Sequence, residues 1–281
     1  MYIVCPQRIV DVFRHLIISF QEELDIPENI VIENSHIFSL KNQIIILFGA
    51  QELCKFKEYI PFLRQNNVYL YNTEQLPSTI WNYMIDMSKD YIKEWWDYST
   101  VNINYLKDKL NKPTKHMYFC YSKALNLYPL YPLDKSVITF FGTHSQRRWD
   151  ICSEFYEKLK PYDISLKYNS SGKLINNIYD DYISRHCIYF NVHYYVPSIL
   201  EIVRIVPLLS QGHLVISEHS NDEELDNLFS PYIIWYEDIR DNIPLLIEKI
   251  KIHDNEKLKN EFKLNLNFNK ILKDSNVFDL V

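Results

Sequence analysis

The chain has 281 residues, of which 47% are hydrophobic and 23% charged, a balance that excludes global disorder and favours two domains. Its net charge of -6 excludes the basic face that most nucleic-acid binders carry, and neither half of the chain is basic. The longest apolar run, residues 44–50, is far shorter than the roughly 20 residues that a membrane-spanning helix needs. We therefore expect no nucleic-acid partner and no membrane span.

The cysteines, the glycines and the first residues exclude further classes of protein. The five cysteines are at least 32 residues apart, so a disulfide framework and a CxxC zinc site are excluded. Only four glycines occur, so neither a Walker-type nor a GxGxxG phosphate loop can form. Residues 1–6 run straight into Arg8, Asp11 and Arg14, which leaves no apolar region of a signal peptide. We expect a cytoplasmic protein.

In the first half of the chain, short apolar runs alternate with segments of helical periodicity. Strands are predicted at residues 2–5, 44–48, 67–71, 91–96 and 117–121. Helices are predicted at residues 7–23, 52–64, 78–87, with Ser78 as the N-cap, and 101–110. Residues 127–134, which include Pro129 and Pro132, interrupt the pattern and predict a linker, so we place the domain boundary after residue 133.

The alternation restarts more regularly in the second half. Strands are predicted at residues 136–141, 163–167, 187–192, 213–217 and 232–235. Helices are predicted at residues 145–159, 174–185, 198–210, 222–228, 243–252 and 256–272. Strands that alternate with helices of about 10–15 residues indicate βαβ units and parallel sheets. The predicted fold class is α/β, with two Rossmann-like domains, 1–133 and 134–281, facing a cleft, and with the last helix packing back on the first domain.

The loop after the strand at 136–141 is the first candidate binding segment, because open parallel sheets bind ligands beyond the carboxyl ends of their strands. Gly142 allows a close backbone approach, and Thr143 or Ser145 is suited to cap the following helix, whose free N–H groups favour an anion. Arg147 and Arg148 add positive charge that suits a diphosphate. The alternative is an ordinary capped helix with two solvated arginines.

The helix predicted at 198–210 is apolar except at Ser198, Glu201 and Arg204. A helix that is apolar on most sides is buried, so this polar stripe must face a ligand or a partner group. Glu201 is suited to accept both hydroxyls of a ribose, and Arg204 to hold a carboxylate or a phosphate. The alternative is a Glu–Arg pair on a solvated edge.

Two more polar segments end strands of the second half. His193 and Tyr194 follow the strand at 187–192, and Ser217 and Glu218 end the strand at 213–217. Their position beside the segments above supports a common ligand site at this sheet edge. The alternative for the last segment is a plain turn that leads into an acidic surface run.

In the first half, Glu74 and Asp97 follow strands and are the candidates for a catalytic base, because a carboxylate there can take a proton from an incoming hydroxyl. The alternatives are that Glu74 caps a turn and that Asp97 caps the next helix. We favour Glu74, since capping competes for the carboxylate of Asp97. No DxD motif follows a strand, because Asp180 and Asp181 are adjacent and lie in a helical stretch, so no metal site is expected.

Five segments together resemble a known family. They are residues 71–76, residues 96–99 with Asn102, residues 141–148, residues 191–195 with Glu201 and Arg204, and residues 217–218. In this order they are similar to glycosyltransferases of the GT-B fold, in particular to a family-1-like group found in bacteria and large DNA viruses. The resemblance spans roughly residues 40–240, and its second half is the more specific.

The resemblance implies a metal-independent enzyme of glycan biosynthesis, with a nucleotide sugar and a glycan or other hydroxyl acceptor as partners and no further cofactor. The first domain would receive the acceptor and the second would hold the nucleotide sugar. Residues 142–148 would contact the diphosphate and Glu201 the ribose, with His193, Tyr194 and Glu218 lining the donor pocket. Inverting and retaining chemistry both stay open. The AT-rich coding pattern suits a giant virus, whose protein would act in the host cytoplasm.

One departure from the family keeps other functions open. GT-B enzymes often carry a glycine-containing loop after their first strand, and Cys5, Pro6 and Gln7 do not provide one. The main alternative is a non-catalytic GT-B-like module that binds a nucleotide or a glycan, or that scaffolds an assembly. A weaker alternative is another nucleotide-using α/β enzyme, such as an epimerase.

Overall fold

The computed structural model describes residues 1–27, 30–31, 37–76, 79–126, 134–170 and 188–280. The chain folds as two compact units. Unit 1 is Met1–Phe119 together with Phe268–Val281, and unit 2 is Cys120–Asn267. The boundary predicted after residue 133 falls inside unit 2, and the end of the chain belongs to unit 1.

Unit 1 is built on a parallel sheet flanked by helices. The strands in its described residues are β1 (Tyr2–Val4), β2 (Ile30–Val31), β3 (Ile44–Leu47), β4 (Asn67–Asn72), β5 (Ile92–Asp97) and β6 (Thr114–His116). The helices between them are α1 (Val10–Leu24), α2 (Ala50–Leu53), α3 (Ile60–Gln65), α4 (Asn82–Tyr91) and α5 (Thr100–Leu106). The strands pair in the order β2-β1-β3-β4-β5-β6, and every pair is parallel.

The core of unit 1 forms because apolar faces of helices cover the apolar strands. α1 buries Leu16, Phe20 and Leu24, which share one face at helical spacing. The ring centroid of Phe20 lies 5.3 Å from that of Phe48 and 5.0 Å from that of Phe268. This contact packs the end of the chain onto unit 1.

Unit 2 carries the second parallel sheet. Its described strands are β7 (Val137–Phe141), β8 (Ser165–Asn169), β9 (Ile188–Asn191), β10 (Leu214–Ser217) and β11 (Ile233–Trp235). Its described helices are α6 (Gln146–Leu159), α7 (Ile202–Ser210), α8 (Glu223–Phe229), α9 (Tyr236–Ile239), α10 (Ile243–Ile252) and α11 (Asn255–Asn265). The order β11-β10-β9-β7-β8 reverses direction between β7 and β9, which is the switch point where such sheets bind ligands.

The predicted α/β class with parallel sheets is confirmed, and most predicted strands match observed ones to within two residues. Two differences concern the edges of the first sheet. β2 was not predicted, because two residues are too short to form a pattern. The strand predicted at 117–121 is wrong: β6 is Thr114–His116, and pairing stops there because its partner β5 ends at Asp97.

Two predicted helices have different bounds for local reasons. The helix predicted at 52–64 is broken into α2, a 3-10 turn at Lys57–Tyr59 and α3, because Pro61 fits only the first turn of a helix and starts α3. The helix predicted at 198–210 begins at Ile202, with Glu201 as its N-cap position. Ser198 is outside it, since its carbonyl accepts a hydrogen bond from the N–H of Asn221 at 2.8 Å.

The single helix predicted at 256–272 is two helices, α11 and α12 (Phe268–Asp274). They separate because the carbonyl of Leu266 accepts a hydrogen bond from the N–H of Tyr121 at 3.0 Å, and Tyr121 also bridges to Asn267. α11 therefore stays with unit 2 while α12 belongs to unit 1.

Several predicted features lie outside the described residues: the linker at 127–133, the helix at 174–185 with Asp180 and Asp181, the N-cap Ser78, and Cys187. Within the part of the chain that the structure describes, no helix is both long and apolar enough to cross a bilayer.

Two glycines with positive φ provide a matched test of the fold. Gly212 (φ +81°) follows α7, and a Cβ added there would lie 2.3 Å from the backbone oxygen of Asn255. Gly49 (φ +67°) would instead meet Cδ1 of Ile9 at 2.1 Å, the end of a side chain that can rotate. We expect Gly212→Ala to lower the free energy of unfolding by about 2–3 kcal/mol, and Gly49→Ala by less. Urea unfolding of both variants measures this; equal losses would contradict the backbone clash.

Candidate active site

The candidate binding edge of unit 2 is formed by the loops beyond β7, β9 and β10. α6 begins in the first loop, where Ser145 is the N-cap and its Oγ accepts a hydrogen bond from the N–H of Arg148 at 3.3 Å. The remaining N–H groups in the first turn of a helix have no partner within the helix, and they favour an anion. The capped helix start therefore supplies an anion-binding element at the switch point.

Arg148 joins two loops of this edge. Its side chain is buried, and its guanidinium donates to the carbonyl of Val192 and to the carbonyl of Thr143, each at 2.9 Å. Gly142 leaves room for it, because a Cβ at that position would lie 3.0 Å from Nη1 of Arg148. Burial lowers the pKa of Arg148 to about 10. The predicted contact of Arg148 with a diphosphate is not available to a guanidinium enclosed in this way.

Arg147 is the more accessible of the two arginines, with 34% of its side chain exposed. Nη1 and Nη2 pair with the two carboxylate oxygens of Glu218, at 2.9 and 2.5 Å. Nη1 also donates to the carbonyl of His193 at 2.8 Å, and Glu218 accepts from the N–H of His193 at 2.8 Å. Glu218 therefore orients Arg147 and the loop after β9.

Asn191, the last residue of β9, connects the polar groups of the edge. Its Nδ2 donates to Glu201 at 2.9 Å and to Oγ of Ser217 at 3.0 Å. Its Oδ1 accepts from Arg204 at 2.9 Å. The sequence analysis named Asn191 only within the resemblance, although its place at the end of a buried strand, two residues before His193, was the available signal.

Glu201 is held by one of its two oxygens. Oε2 lies 2.8 Å from Nδ1 of His193 and accepts from Asn191, whereas Oε1 makes no hydrogen bond within the described residues and lies 4.0 Å from Arg148. Burial raises the pKa of Glu201, but His193, Arg204 and Asn191 outweigh it and bring the pKa to about 2. Glu201 is thus a carboxylate with one oxygen available, and 17% of its side chain is exposed.

The structure brings the site residues predicted in the second half to this one edge. Thr143 and Tyr194 are exposed on it, and the ring of Tyr194 lies 5.2 Å from the Arg148 guanidinium. The ring of His193 is buried, with 2% of its side chain exposed, so the prediction that it lines a pocket is wrong. Ser217 is also buried and acts through Asn191.

Asp97, in unit 1, is enclosed at the carboxyl end of β5. Oδ1 accepts from the N–H of Ser99 at 3.0 Å and from Asn102 at 2.9 Å, and Oδ2 accepts from Asn72 at 2.8 Å and from Trp95 at 3.1 Å. Burial raises the pKa of Asp97 to about 7, although these four hydrogen bonds lower it. With both oxygens saturated and the residue fully buried, Asp97 cannot reach an acceptor, so its prediction as a catalytic base is wrong.

Glu74, two residues beyond β4, is half-buried, in contrast to the fully buried Asp97. Oε1 accepts from Gln51 at 2.7 Å, and the backbone is fixed by Asn72 and by Asn102, whose Nδ2 groups donate to the Glu74 carbonyl at 2.8 Å. Burial and the neighbouring Glu52 raise the pKa of Glu74 to about 7. A carboxylate with that pKa is suited to proton transfer near neutral pH. Gln51 was missed at the level of sequence, and Asn72 and Asn102 were named only within the resemblance.

A bound metal ion needs several side chains that can ligate it together. Within the described residues, no group of three or more His, Cys, Asp or Glu side chains is arranged to hold a metal ion.

Comparison with known protein families and with curated proteins finds no match. Among solved structures, the chain is similar to TarM, a GT-B glycosyltransferase, with a TM-score of 0.54 and 10% identity over 84% of this chain and 54% of TarM. It also matches a glycosylation associate protein (Gap123) complex from Streptococcus agalactiae, with a TM-score of 0.43 and 12% identity over 85% of this chain and 52% of that one. The chain thus spans about half the length of either. The two parallel sheets and the likeness to TarM show two Rossmann-like units of the GT-B kind.

The contrast between Asp97 and Glu74 predicts that their amide variants lose unequal amounts of stability. Asp97→Asn places an amide against four donors, so we expect a loss of about 2–4 kcal/mol of unfolding free energy. Glu74→Gln, at a half-buried position with one side-chain hydrogen bond, is the matched control and should cost less than about 1 kcal/mol. Thermal or urea unfolding compares them. Equal stability of both variants would show that the enclosed carboxylate is not structural.

Proposed function

We propose that the protein is a glycosyltransferase that moves a sugar from a nucleotide-sugar donor to a glycan or other hydroxyl acceptor, without a metal ion. The observation that carries the proposal is the edge at the switch point of unit 2. There the start of α6 and the accessible Arg147 in its first turn lie beside Glu201, a carboxylate at the start of α7 with one oxygen that accepts no hydrogen bond from the described residues. These are the groups that a nucleoside diphosphate requires, for its phosphates and its ribose.

The diphosphate would bind at the start of α6. The N–H groups of its first turn carry partial positive charge, and α6 has 14 residues, long enough for a full helix dipole. Arg147, held by Glu218, adds a partly exposed cation at the same turn, while Arg148 fixes the loop from within. Charge that develops on the leaving diphosphate is stabilised by these donors, which is the role that a metal ion has in other transferases.

The ribose would bind at Glu201. Its Oε1 is suited to accept the hydroxyls of a vicinal diol, since Oε2 is already occupied by His193 and Asn191. A site built to receive hydroxyl groups rejects an analogue that lacks one, because its polar group is then left without a partner. This gives a test that does not require the donor sugar to be known.

We expect UDP or GDP to bind more tightly than its 2′-deoxy counterpart, by about tenfold or more. Glu201→Gln should weaken the ribonucleotide by about 1–3 kcal/mol and reduce the difference between the two ligands. Isothermal titration calorimetry measures both, with Glu224→Gln on the exposed side of α8 as a control that changes neither. Unchanged ribonucleotide affinity in a folded Glu201→Gln protein would contradict the assignment.

Glu74 is our proposed general base. As the oxygen of the acceptor hydroxyl bonds to the anomeric carbon, its proton passes to the Glu74 carboxylate, and the bond between sugar and diphosphate breaks. The raised pKa, about 7, makes Glu74 a stronger base than an ordinary carboxylate. This role belongs to an inverting transfer; a retaining transfer would not need it.

Because Glu74 must be deprotonated to act, turnover should rise as the pH rises through about 7 and level off above it. Glu74→Gln should lower turnover about 10²–10⁴-fold while donor affinity stays unchanged. Sugar transfer is assayed in excess EDTA, with Glu58→Gln as the control in unit 1. Full turnover in Glu74→Gln would contradict the assignment of Glu74 as the base. Loss of wild-type turnover on addition of EDTA, with recovery on addition of manganese, would contradict metal independence.

A binding module without catalysis is the second candidate, and one contact in unit 1 favours it. Gly49, beyond β3, is closely covered, because an added Cβ would lie 2.1 Å from Ile9 and 3.1 Å from Pro6. Side chains thus fill the turn after β1, at the switch point of the first sheet. A wild-type protein that binds a nucleotide sugar, transfers to no acceptor and hydrolyses nothing would establish this candidate.

A further inference from the structure

The buried ring of His193 faces hydrogen-bond acceptors on both of its nitrogens. Nδ1 lies 2.8 Å from Oε2 of Glu201. Nε2 lies 3.1 Å from the carbonyl oxygen of Glu218 and 3.1 Å from that of His219. A neutral imidazole has one N–H donor and one lone pair, so in either tautomer a lone pair would face an acceptor. Only the doubly protonated ring satisfies both sides.

The charges around the ring support a cation at this position. Glu201 contacts it from the start of α7, and Glu218, from the loop after β10, binds its backbone N–H. The three nearby arginines have other hydrogen-bond partners: Arg147 pairs with Glu218, Arg148 binds backbone carbonyls, and Arg204 binds Asn191. Burial lowers the pKa of His193, but Glu201 and Glu218 outweigh it and raise the pKa above its ordinary value.

We propose that His193 is a positioning residue: its imidazolium holds Oε2 of Glu201 and so leaves Oε1, which lies 4.0 Å from Arg148, for a ligand diol. The ring itself does not touch the nucleotide, because it is buried. This proposal rests on the proposed nucleotide site, and it adds that nucleotide affinity depends on pH through the protonation of His193. Within the described residues, His193 and Asn191 are the two residues that hydrogen-bond to this Glu201 oxygen.

Deprotonation of His193 would disturb the site in a defined direction. Above its raised pKa the ring loses a donor, and the lone pair then faces either Glu201 or two carbonyls. The Glu201 carboxylate loses its cationic partner, and within the described residues Asn191 alone then donates to Oε2. Nucleotide affinity should therefore be highest below the His193 titration midpoint and fall as the pH rises through it.

The first experiment measures the ring without any ligand. Long-range ¹H–¹⁵N NMR of the folded protein should show two nitrogens of nearly equal shift, with a titration midpoint above that of the same histidine in the urea-unfolded chain. In Glu201→Gln the midpoint should fall, because the counter-charge is removed. Widely separated nitrogen shifts at pH 6.5, or a midpoint below that of the unfolded chain, would overturn the proposal whether or not a nucleotide binds.

The second experiment measures UDP and GDP affinity from pH 6 to pH 9. Wild-type affinity should fall across the NMR midpoint, whereas His193→Gln, which keeps an N–H donor but no charge, should bind about tenfold more weakly with no such pH dependence. His213→Gln is the matched control, since His213 is also buried in unit 2 but packs on Tyr189, and it should keep the wild-type profile. A His193→Gln protein with the wild-type profile contradicts the proposal; absence of nucleotide binding in all proteins contradicts the proposed function instead.

Discussion

The hydrogen-bonded set of Glu201, His193 and Asn191 is the contact on which the edge of unit 2 depends. It joins the end of β9, the start of α7 and the loop after β10 through side chains that are largely buried. Burying a carboxylate and an imidazolium is costly unless each is paired and hydrogen-bonded. Here each compensates the other, so the arrangement holds one carboxylate oxygen in place and leaves the second without a hydrogen bond from the described residues.

Burial and hydrogen bonding also distinguish residues of the same charge elsewhere in the chain. Arg147 and Arg148 are adjacent, yet one is accessible beside Glu218 and the other is enclosed by backbone carbonyls. Asp97 and Glu74 both follow strands of unit 1, yet four donors saturate the first while the second keeps a half-buried carboxyl with a pKa of about 7. Burial and the number of donors, rather than residue type, decide which group is available for binding or proton transfer.

Apolar runs predicted the parallel sheets, and the polar residues after the strands predicted that the edge of unit 2 would gather Arg147, Glu201 and Glu218. The sequence could not show which of these groups are enclosed, because that depends on contacts such as Arg148 to Val192, 44 residues apart. It also could not place the break at Leu266, which a hydrogen bond from a distant segment causes. Local patterns define elements, whereas long-range hydrogen bonds decide their ends and the role of each charge.

A thermal-shift comparison of UDP-, GDP- and dTDP-sugars shows whether unit 2 binds a nucleotide sugar. A ligand that binds only the folded protein stabilises it by mass action, by about 2.7 kcal/mol at a concentration a hundredfold above its Kd. We expect a concentration-dependent rise in Tm with at least one ribonucleotide sugar and a smaller rise, or none, with dTDP-sugars, which lack the 2′-hydroxyl. An unchanged Tm with every donor at millimolar concentration would contradict nucleotide-sugar binding.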